Sequence, residues 1–441
     1  MKKVLVLGAG LVSRPLVRYL LERAGLAVTV ASRTVSKAVA LIDGHERGAA
    51  LPLDVKDEAE LDRLVGETDL AISLLPYVHH VTVARLCLKH RIPMVTTSYV
   101  SDAMRELDAE ARAAGVILLN EIGVDPGIDH MAAMQIIHRV QNAGGTVARF
   151  HSYCGGLPAP EANTNPYGYK FSWSPRGVLM AGRNSARYLE EGAEVNIPGP
   201  ELFANQWELE VPGAGTFEAY PNRDSIPYIE TYGLKGVKNM LRGTLRYPGW
   251  CETLKAIADL GLLEDETTKP YAGLTLGAWL GGFLGEDAGD DPRAAAAAKL
   301  GLGADHGVFD KLDWLGLFSD EPVKAAAGTA LDVLCAEMLA RMSYAEGERD
   351  LLVQHHEFDA DYPDGRKEAI TSTMVDFGIP HGDSSMARTV SLPAAIGARL
   401  ILEGRIPLTG VQIPVQPEIY TPVLEELATM DIEFAEAISR R

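Results

Sequence analysis

The sequence predicts an α/β protein that begins with a doubly wound parallel sheet and continues into a second, α+β domain. In the first third of the chain, short apolar runs alternate with segments of helical spacing, and this alternation is typical of parallel sheets with crossover helices. The predicted strands are residues 4–7, 27–31, 49–53, 70–74, 94–96 and 116–119. The predicted helices between them are residues 15–23, 35–42, 58–65, 81–90 and 103–114.

The pattern changes beyond residue 125. Period-2 runs at residues 146–153, 351–358 and 368–375 predict a mixed or largely antiparallel sheet, with a turn at Pro363, Asp364 and Gly365 joining the last two strands. Residues 251–344 are mostly of helical character, with turn-rich residues 285–292 ahead of a helix that contains an alanine run.

These segments predict three domains. The first is residues 1–125 with a returning helix at residues 386–404, the second is a sheet domain of residues 126–250 and 346–385, and the third is a helical insertion of residues 251–345.

Composition excludes several classes of partner. The net charge of −19 argues against nucleic acid or an anionic membrane, because either would require a basic face. The four cysteines have neither CxxC spacing nor the density of a disulfide framework, so we expect a reducing compartment, with the cytoplasm as the default. The apolar N-terminus ends without a small-residue cleavage site and is interpreted as a buried strand.

Residues 153–177 are rich in Gly, Pro and aromatic residues and follow neither a helical nor a strand period. A loop this long is usually functional or disordered, and its aromatic side chains supply apolar surface that a solvated linker lacks. We therefore predict an ordered wall of a binding site.

A dinucleotide-binding motif follows the first predicted strand. Gly8 and Gly10 are the leading glycines of a GxGxxS sequence, where Gly8 permits a tight turn and Gly10 allows backbone to approach a pyrophosphate at the helix N-terminus. The position of this motif within a series of strand–helix units predicts a Rossmann domain. The competing interpretation is that the glycines serve only the turn.

The end of the second strand indicates which cofactor is bound. An NAD site usually places Asp or Glu there, whereas this chain has Ser32, Arg33 and Thr34. A guanidinium and two hydroxyls suit a ribose 2′-phosphate, so the sequence predicts NADP, with Arg33 as the discriminating residue. The alternative is that Arg33 is a solvated surface charge.

Polar residues follow the later strands of the predicted sheet, where ligands of such sheets bind. Ser98 and Tyr99 come after the fifth strand, and Asp125 comes after the sixth. Tyr99 and Asp125 are therefore candidates for proton transfer or substrate positioning. The sequence around Asp125, which is DPG, is also an ordinary turn sequence, and these residues alone leave both interpretations open.

Motifs along nearly the whole chain resemble the glutamate-forming saccharopine dehydrogenases, also called saccharopine reductases. The matching segments are TTSYVS at residues 96–101, NEIGVDPGIDHMAA at 120–133, the block at 153–177, AYPNRDS at 219–225, RGTLRYPG at 242–249 and SMARTVSLPAA at 385–395.

The resemblance implies a reversible reaction of lysine metabolism. Saccharopine, NADP⁺ and water would give L-glutamate, 2-aminoadipate 6-semialdehyde and NADPH. It also implies a homodimer formed through the second domain. Carboxynorspermidine dehydrogenase, in which a diamine replaces glutamate, is a second possibility, and a non-catalytic NADP-binding sensor is a third.

The resemblance assigns residues to both ligands. The substrate contacts it implies are Ser98, Tyr99, Asp125, Arg223, Thr244, Leu245 and Arg246. The cofactor contacts are Gly8, Gly10, Leu11, Val12, Ser32, Arg33, Thr34, Asp54, Val55, Thr97, Val124, Asp125, Pro126 and Ser174. Because saccharopine carries three carboxylates and a guanidinium can hold a carboxylate through two parallel bonds, Arg223 and Arg246 are the expected carboxylate anchors.

The general acid or base is left open among Tyr99, Asp125 and Cys154, and Cys154 is also interpretable as a small buried apolar residue. We expect no metal site. His355, His356 and Glu357 are consecutive on a predicted strand, where neighbouring side chains point to opposite faces.

Overall fold

The computed structural model describes residues 1–285 and 291–440, and the chain folds into two compact units. The first unit comprises Met1–Val147, Ala360–Lys367 and the chain from Met374 onward, and the second comprises Ala148–Asp359 and Glu368–Thr373. The predicted turn over residues 285–292 lies mostly outside the described residues.

The strands and helices of the first third of the chain follow the predicted order, and the structure adds others that were not predicted. The strands are β1 (Lys3–Leu7), β2 (Ala27–Ser32), β3 (Gly48–Pro52), β4 (Leu70–Ser73), β5 (Met94–Thr96), β6 (Ile117–Leu119), β7 (Thr146–Pro158), β8 (Ala186–Glu190), β9 (Ala193–Ile197), β10 (Trp207–Val211), β11 (Gly215–Pro221), β12 (Asn239–Arg246), β13 (Lys269–Pro270), β14 (Ala327–Gly328), β15 (Asp350–Asp361), β16 (Lys367–Phe377), β17 (Gly410–Gln412) and β18 (Ala435–Arg440). The helices are α1 (Ser13–Arg18), α2 (Val35–Ile42), α3 (Glu58–Gly66), α4 (His80–His90), α5 (Asp102–Arg105), α6 (Asp108–Ala114), α7 (Ile128–Asn142), α8 (Pro175–Ala181), α9 (Pro227–Thr231), α10 (Trp250–Asp259), α11 (Leu276–Leu284), α12 (Pro292–Leu300), α13 (Gly307–Trp314), α14 (Ala330–Arg341), α15 (Ser385–Leu402) and α16 (Pro417–Ala428).

The first unit contains a parallel sheet of seven strands in the order β17-β6-β5-β4-β1-β2-β3. Strand β1 pairs with β2 on one side and with β4 on the other, so the chain reverses its direction of winding between β3 and β4. Ligands of doubly wound sheets bind at the carboxyl ends of the strands beside such a reversal. Strand β1 is apolar and buried from Val4 to Leu7, as expected for a central strand covered on both faces.

Three details of this unit differ from the sequence prediction. The predicted helix at residues 103–114 is divided into α5 and α6, and the predicted helix at residues 15–23 is α1 followed by a π-helical turn at Tyr19–Arg23. A seventh strand, β17, was not predicted. It pairs with β6, which lies nearly three hundred residues earlier in the chain. The returning helix is α15, which packs against α1.

The larger sheet is mixed and has nine strands. Its order is β10-β11-β12-β7-β15-β16-β18, with β8 pairing to β12 and to β9. Strands β12 and β7 are parallel, whereas β10 with β11, β11 with β12, and β8 with β9 are antiparallel. Strands β7, β15 and β16 contain residues of both units, and β18 belongs to the first. The fold class is therefore α/β, with a parallel-sheet domain and a second, mixed-sheet α+β domain.

The two units differ from the three predicted domains in their boundaries. Residues 126–147, which include α7, group with the first unit, and the helical residues 251–345 group with the second unit rather than forming a unit of their own. The three-domain division stays a prediction. Among residues 1–285 and 291–440, every helix is too short or too polar to cross a membrane.

Candidate active site

The glycine-rich turn after β1 has the geometry that its sequence predicts. Gly8 has a φ of +107°, and a Cβ atom there would lie 2.9 Å from the carbonyl oxygen of Leu74. The Ser13 hydroxyl, which is buried, accepts a hydrogen bond of 3.0 Å from the N–H of Gly10. A Cβ atom on Gly10 would have no atom within 4 Å. The backbone at Gly10 is thus held in place and is accessible to a ligand.

A cavity of about 300 Å³ lies beside this turn, at the carboxyl ends of β1 to β4. Its lining includes most of the predicted cofactor residues of the first three strand ends: Gly8, Gly10, Ser32, Arg33, Thr34, Asp54 and Val55. Leu11 and Val12 continue the glycine turn, and the Leu11 side chain is 73% exposed. The structure therefore brings together the residues that we predict for the adenosine half of NADP.

Arg33 is exposed at this cavity, and among the described residues it has no hydrogen-bonding or ion-pair partner. Lys37, on the first turn of α2, lines the same cavity and was not predicted from the sequence. The signal available in the sequence was its position four residues after Arg33, at the start of the predicted helix of residues 35–42. Two cations that have no carboxylate partner among the described residues fit the phosphate of NADP.

A buried histidine connects the ends of β4 and β5. His80 Nδ1 and the Ser73 hydroxyl are hydrogen-bonded at 2.8 Å, and His80 Nε2 and the Ser98 hydroxyl are hydrogen-bonded at 2.8 Å. Burial, with a smaller effect of the neighbouring His79, lowers the pKa of His80 to about 4. The imidazole is therefore neutral at neutral pH and orients the predicted substrate residue Ser98. The sequence motifs assigned no role to His80.

Tyr99 and Asp125, two of the three predicted acid–base candidates, are in direct contact. The Tyr99 hydroxyl donates a hydrogen bond of 2.9 Å to Asp125 Oδ1. Asp125 precedes Pro126 in a cis peptide bond, and the loop closes through a hydrogen bond of 2.9 Å from the Gly123 N–H to the Pro126 carbonyl.

The same loop holds the other predicted cofactor residues of this strand end. Thr97 packs against Gly123, since a Cβ atom added to Gly123 would lie 3.1 Å from the Thr97 Cβ. Val124 is buried at 6% exposure, between Gly123 and Asp125. The loops after β5 and β6 therefore pack together closely.

Glu121 and His130 hold the loop after β5 in place through buried hydrogen bonds. Glu121 Oε2 and His130 Nε2 lie 2.8 Å apart in the buried interior, and Glu121 Oε1 accepts a hydrogen bond of 2.9 Å from the Val100 N–H. The Glu121 N–H donates to the Ser98 carbonyl at 3.1 Å. One residue thus fixes the backbone on both sides of Tyr99. Sequence reasoning assigned no role to Glu121, whose left-handed φ of +56° is visible only in the structure.

In the second unit, Cys154 lies in the middle of the mixed sheet. It pairs with Thr244 of β12, and Thr244 pairs in turn with Tyr220 of β11, so these three side chains share one face of the sheet. The Leu245 side chain projects from the opposite face and is fully buried. It packs against Gly155, since a Cβ atom added to Gly155 would lie 2.8 Å from the Leu245 Cβ. A ligand on the Cys154 face can therefore contact the backbone of Leu245 but not its side chain.

Arg246 lies on the same face as Thr244 and is buried at 5% exposure. Its guanidinium stands over the rings of Tyr169 at 5.1 Å and Trp250 at 5.5 Å, and Nη1 donates to the Leu245 carbonyl at 2.8 Å. Within the described residues it has no ion pair, and its Nε and the Trp250 Nε1 have no hydrogen-bonding partner. A buried cation without a carboxylate is costly unless a ligand supplies one.

Arg223 occupies a different environment. It is exposed after the end of β11, has a φ of +57°, and lines a cavity of about 460 Å³ together with Arg187 and Asp224. The Arg187 N–H donates to the Arg223 carbonyl at 2.9 Å. The two predicted carboxylate anchors thus differ in burial, and Arg246 is the enclosed one.

The block at residues 153–177 is ordered, but it is not entirely loop. Its first six residues complete β7, and its end begins α8, whose first turn is capped by the Ser174 hydroxyl accepting from the Gly177 N–H at 3.2 Å. Tyr153, Tyr167 and Tyr169 are buried below 3% exposure, whereas the role of the block as a wall of a binding site stays a prediction. Ser174 is exposed, and its contact with the cofactor stays a prediction.

His355 and His356 lie on opposite faces of β15, as strand alternation requires. His355 is hydrogen-bonded to Thr373 at 2.7 Å, whereas the His356 ring packs 5.7 Å from that of Phe150. Within residues 1–285 and 291–440, no group of three His, Cys, Asp or Glu side chains is arranged to hold a metal ion.

Comparisons with known proteins give matches over both halves of the chain. A model described as the saccharopine dehydrogenase NADP binding domain matches residues 4–119, and one described as the saccharopine dehydrogenase C-terminal domain matches residues 123–432. The chain is 41% identical to saccharopine dehydrogenase (NADP(+), L-glutamate-forming) of Schizosaccharomyces pombe, covering 99% of each protein. It is 39% identical to the mitochondrial alpha-aminoadipic semialdehyde synthase of Mus musculus, where 98% of this chain covers 47% of that protein.

A solved structure extends the likeness to three dimensions. Apo saccharopine dehydrogenase (L-Glu forming) from Saccharomyces cerevisiae matches with a TM-score of 0.90 at 40% identity, covering 100% of both chains. The parallel-sheet domain, the mixed-sheet domain and their order along the chain are thus shared with that protein. This chain belongs to the saccharopine dehydrogenase family.

Proposed function

We propose that the protein is an NADP-dependent, L-glutamate-forming saccharopine dehydrogenase. It interconverts saccharopine, NADP⁺ and water with L-glutamate, 2-aminoadipate 6-semialdehyde and NADPH, as a step of lysine metabolism. The relatives named for this reaction match nearly the full length of the chain. The single observation that carries the substrate class is Arg246, a buried guanidinium that has no ion pair among the described residues and so suits a carboxylate ligand.

Residues at the first cavity suit NADP. Arg33, with Ser32 and Thr34, would hold the 2′-phosphate, and the backbone from Gly10 to Val12 would face the pyrophosphate. When bound, the nicotinamide accepts a hydride from the substrate carbon that bears the secondary amine. The chain's contribution is to bind and orient this cofactor at the strand ends.

The substrate then loses its C–N bond by hydrolysis. Loss of hydride from the C–N carbon leaves a protonated imine, water adds to its carbon, and collapse of the adduct releases the amine of glutamate and the aldehyde. Positive charge arises on nitrogen during this sequence, and the Asp125 carboxylate, held by the Tyr99 hydroxyl, is suited to stabilise it. Tyr99, Asp125 and Cys154 remain the candidates for moving protons.

Two alternatives are less well supported. Carboxynorspermidine dehydrogenase would use a diamine in place of glutamate, and a diamine supplies no carboxylate to the buried Arg246. A non-catalytic NADP-binding sensor would have no need for this guanidinium. We therefore prefer the glutamate-forming reaction.

We further propose that the enzyme is a cytoplasmic homodimer. The cysteines support a cytoplasmic location, because proteins of a reducing compartment rarely contain disulfides. Within the described chain no disulfide joins Cys87, Cys154, Cys251 or Cys335. Light scattering would measure the mass, and fractionation of the source cell would measure the location. A monomer in solution or a protein outside the cytoplasm would contradict this part of the proposal.

The function is tested by following NADPH oxidation with 2-aminoadipate 6-semialdehyde and a panel of amines. Turnover with L-glutamate supports the proposal, and turnover only with a diamine or another amine overturns it. The same assay with Arg223→Ala tests the second anchor, because loss of a glutamate contact should raise the KM for glutamate selectively.

A further inference from the structure

Gln354 is a buried polar residue that the chain itself leaves unsatisfied. It lies in the middle of β15 at 0% exposure, and neither its amide oxygen nor its amide nitrogen has a hydrogen-bonding partner in the described part of the chain. A buried amide without partners destabilises the folded state and is rare in native proteins. A group outside the described protein atoms is therefore expected to satisfy it.

Gln354 faces Cys154 across two neighbouring strands. The Phe150 ring stacks on Phe358 at 4.7 Å and the Tyr153 ring stacks on His355 at 6.4 Å, so residue numbers rise on β7 as they fall on β15. This antiparallel register sets Cys154 opposite Gln354. Residues directly opposite in an antiparallel pair project from the same face. The unsatisfied amide thus lies on the candidate substrate face.

Four residues form a row on that face, one from each neighbouring strand. Gln354 of β15, Cys154 of β7, Thr244 of β12 and Tyr220 of β11 follow one another across the sheet. Strands are about 4.8 Å apart, so the row is about 14 Å long. Arg246 lies two residues beyond Thr244 on the same face. Saccharopine, which joins two amino acids end to end and carries three carboxylates, is long enough to extend along such a row.

We propose that Gln354 is a further substrate-binding residue and that it recognises the end of saccharopine that carries a primary ammonium and its carboxylate. This inference rests on the proposed function. An amide has both a donor and an acceptor, and both are unsatisfied here. An α-amino acid end offers the matching pair, because its carboxylate accepts and its ammonium donates.

Saccharopine has one such end, on the 2-aminoadipate half, because the nitrogen of the glutamate half is the secondary amine of the scissile bond. Gln354 therefore selects the semialdehyde, and Arg246, about two strands away, is left to hold a carboxylate of the other half. The residue determines which aldehyde the enzyme accepts.

The test compares Gln354→Met with the wild-type enzyme in the direction of saccharopine formation. The KM for 2-aminoadipate 6-semialdehyde should rise by about 10- to 100-fold, the loss expected for hydrogen bonds to charged groups, while the KM values for glutamate and NADPH change by less than about 3-fold. Gln354→Glu provides a second variant, since its carboxylate should repel the substrate carboxylate and raise the same KM. Gln206→Met, at an exposed glutamine of the same unit, is the matched control.

A stability measurement separates this role from a structural one. Because the amide is unsatisfied in the protein alone, Gln354→Met should leave the unfolding midpoint unchanged or raise it. An unchanged KM for the semialdehyde, or a rise confined to glutamate, would overturn the assignment of Gln354. Absence of turnover by the wild-type enzyme with glutamate and the semialdehyde would instead overturn the proposed function, and this inference with it.

Discussion

The Tyr99 hydroxyl donates a hydrogen bond of 2.9 Å to Oδ1 of Asp125. The two residues follow different strands, β5 and β6, and are brought together because parallel strands end at the same edge of the sheet. Glu121 fixes the backbone on both sides of Tyr99 through the Val100 N–H and the Ser98 carbonyl. The pair is therefore an oriented unit rather than two independent candidates.

Tyr99→Phe and Asp125→Asn should be non-additive if the pair acts as a unit. We expect each change to lower kcat/KM for saccharopine by about 10- to 100-fold, because Tyr99→Phe removes the hydrogen bond to the carboxylate and Asp125→Asn removes its charge. The double variant should lose little more than the worse single variant. Steady-state kinetics of the wild type, the two single variants and the double variant completes this double-mutant cycle, with Tyr188→Phe as a control. Multiplicative losses would show that the two side chains act separately.

Arg33→Ala should change the choice between the two nicotinamide cofactors. Removing the charge that we predict to face the 2′-phosphate should raise the KM for NADPH by about 10- to 100-fold while leaving the KM for NADH nearly unchanged. Lys37→Ala should have a smaller effect in the same direction, since Lys37 lines the same cavity. Arg85→Ala, at an exposed arginine of α4, is the matched control. Equal losses with both cofactors would remove Arg33 from the 2′-phosphate site.

Arg246→Met should abolish most activity without unfolding the protein. We expect kcat/KM for saccharopine to fall by about 100-fold or more, because a substrate carboxylate would be left buried and unpaired. The unfolding midpoint should stay level or rise, since within the described residues no carboxylate loses its partner. Arg293→Met, which breaks an ion pair of 2.7 Å with Asp310 in the same unit, is the control. Retained activity would exclude Arg246 as the anchor.

The stability of the protein should fall in mild acid because the pKa values of His80, which is buried, and of His151, which is partly buried, are lowered in the folded state. Burial lowers the pKa of His80 to about 4, and burial followed by the charge of Arg149 lowers the pKa of His151 to about 4. Both are near 6.5 when unfolded, so the unfolded state binds more protons between these values. Stability is therefore fully present above about pH 6.5 and is lost toward pH 4, by about 3 kcal/mol for each histidine.

Urea unfolding across this pH range measures the effect. His80→Gln should reduce the slope of unfolding free energy against pH by up to about 1.4 kcal/mol per pH unit, and His151→Gln should do the same. The two changes should add, because the histidines lie in different units. A slope that neither substitution alters would contradict a neutral, buried state for these side chains.

Much of the first unit could be predicted because its signals are local. Each central strand is a short apolar run, each crossover helix has its own period, and the glycine turn and Arg33 lie within a few residues of a strand end. The same locality explains the failures. Strand β17 pairs with β6 from nearly three hundred residues further along the chain, outside the local alternation of strands and helices that predicted the other strands of this sheet. The break between α5 and α6 interrupts a helical pattern that continues across it.

The amino-acid sequence by itself determined the order of most strands and helices in the first third of the chain, the dinucleotide turn and the presence of Arg33 where we predict the 2′-phosphate to bind. Only the tertiary structure decided that His80 holds Ser98, that Arg246 is buried without an ion pair among the described residues, and that Gln354 stands opposite Cys154. The reason is physical. Periodicity reports which face of its own element a residue occupies, whereas a neighbour across the sheet is set by strand order and register between residues two hundred positions apart.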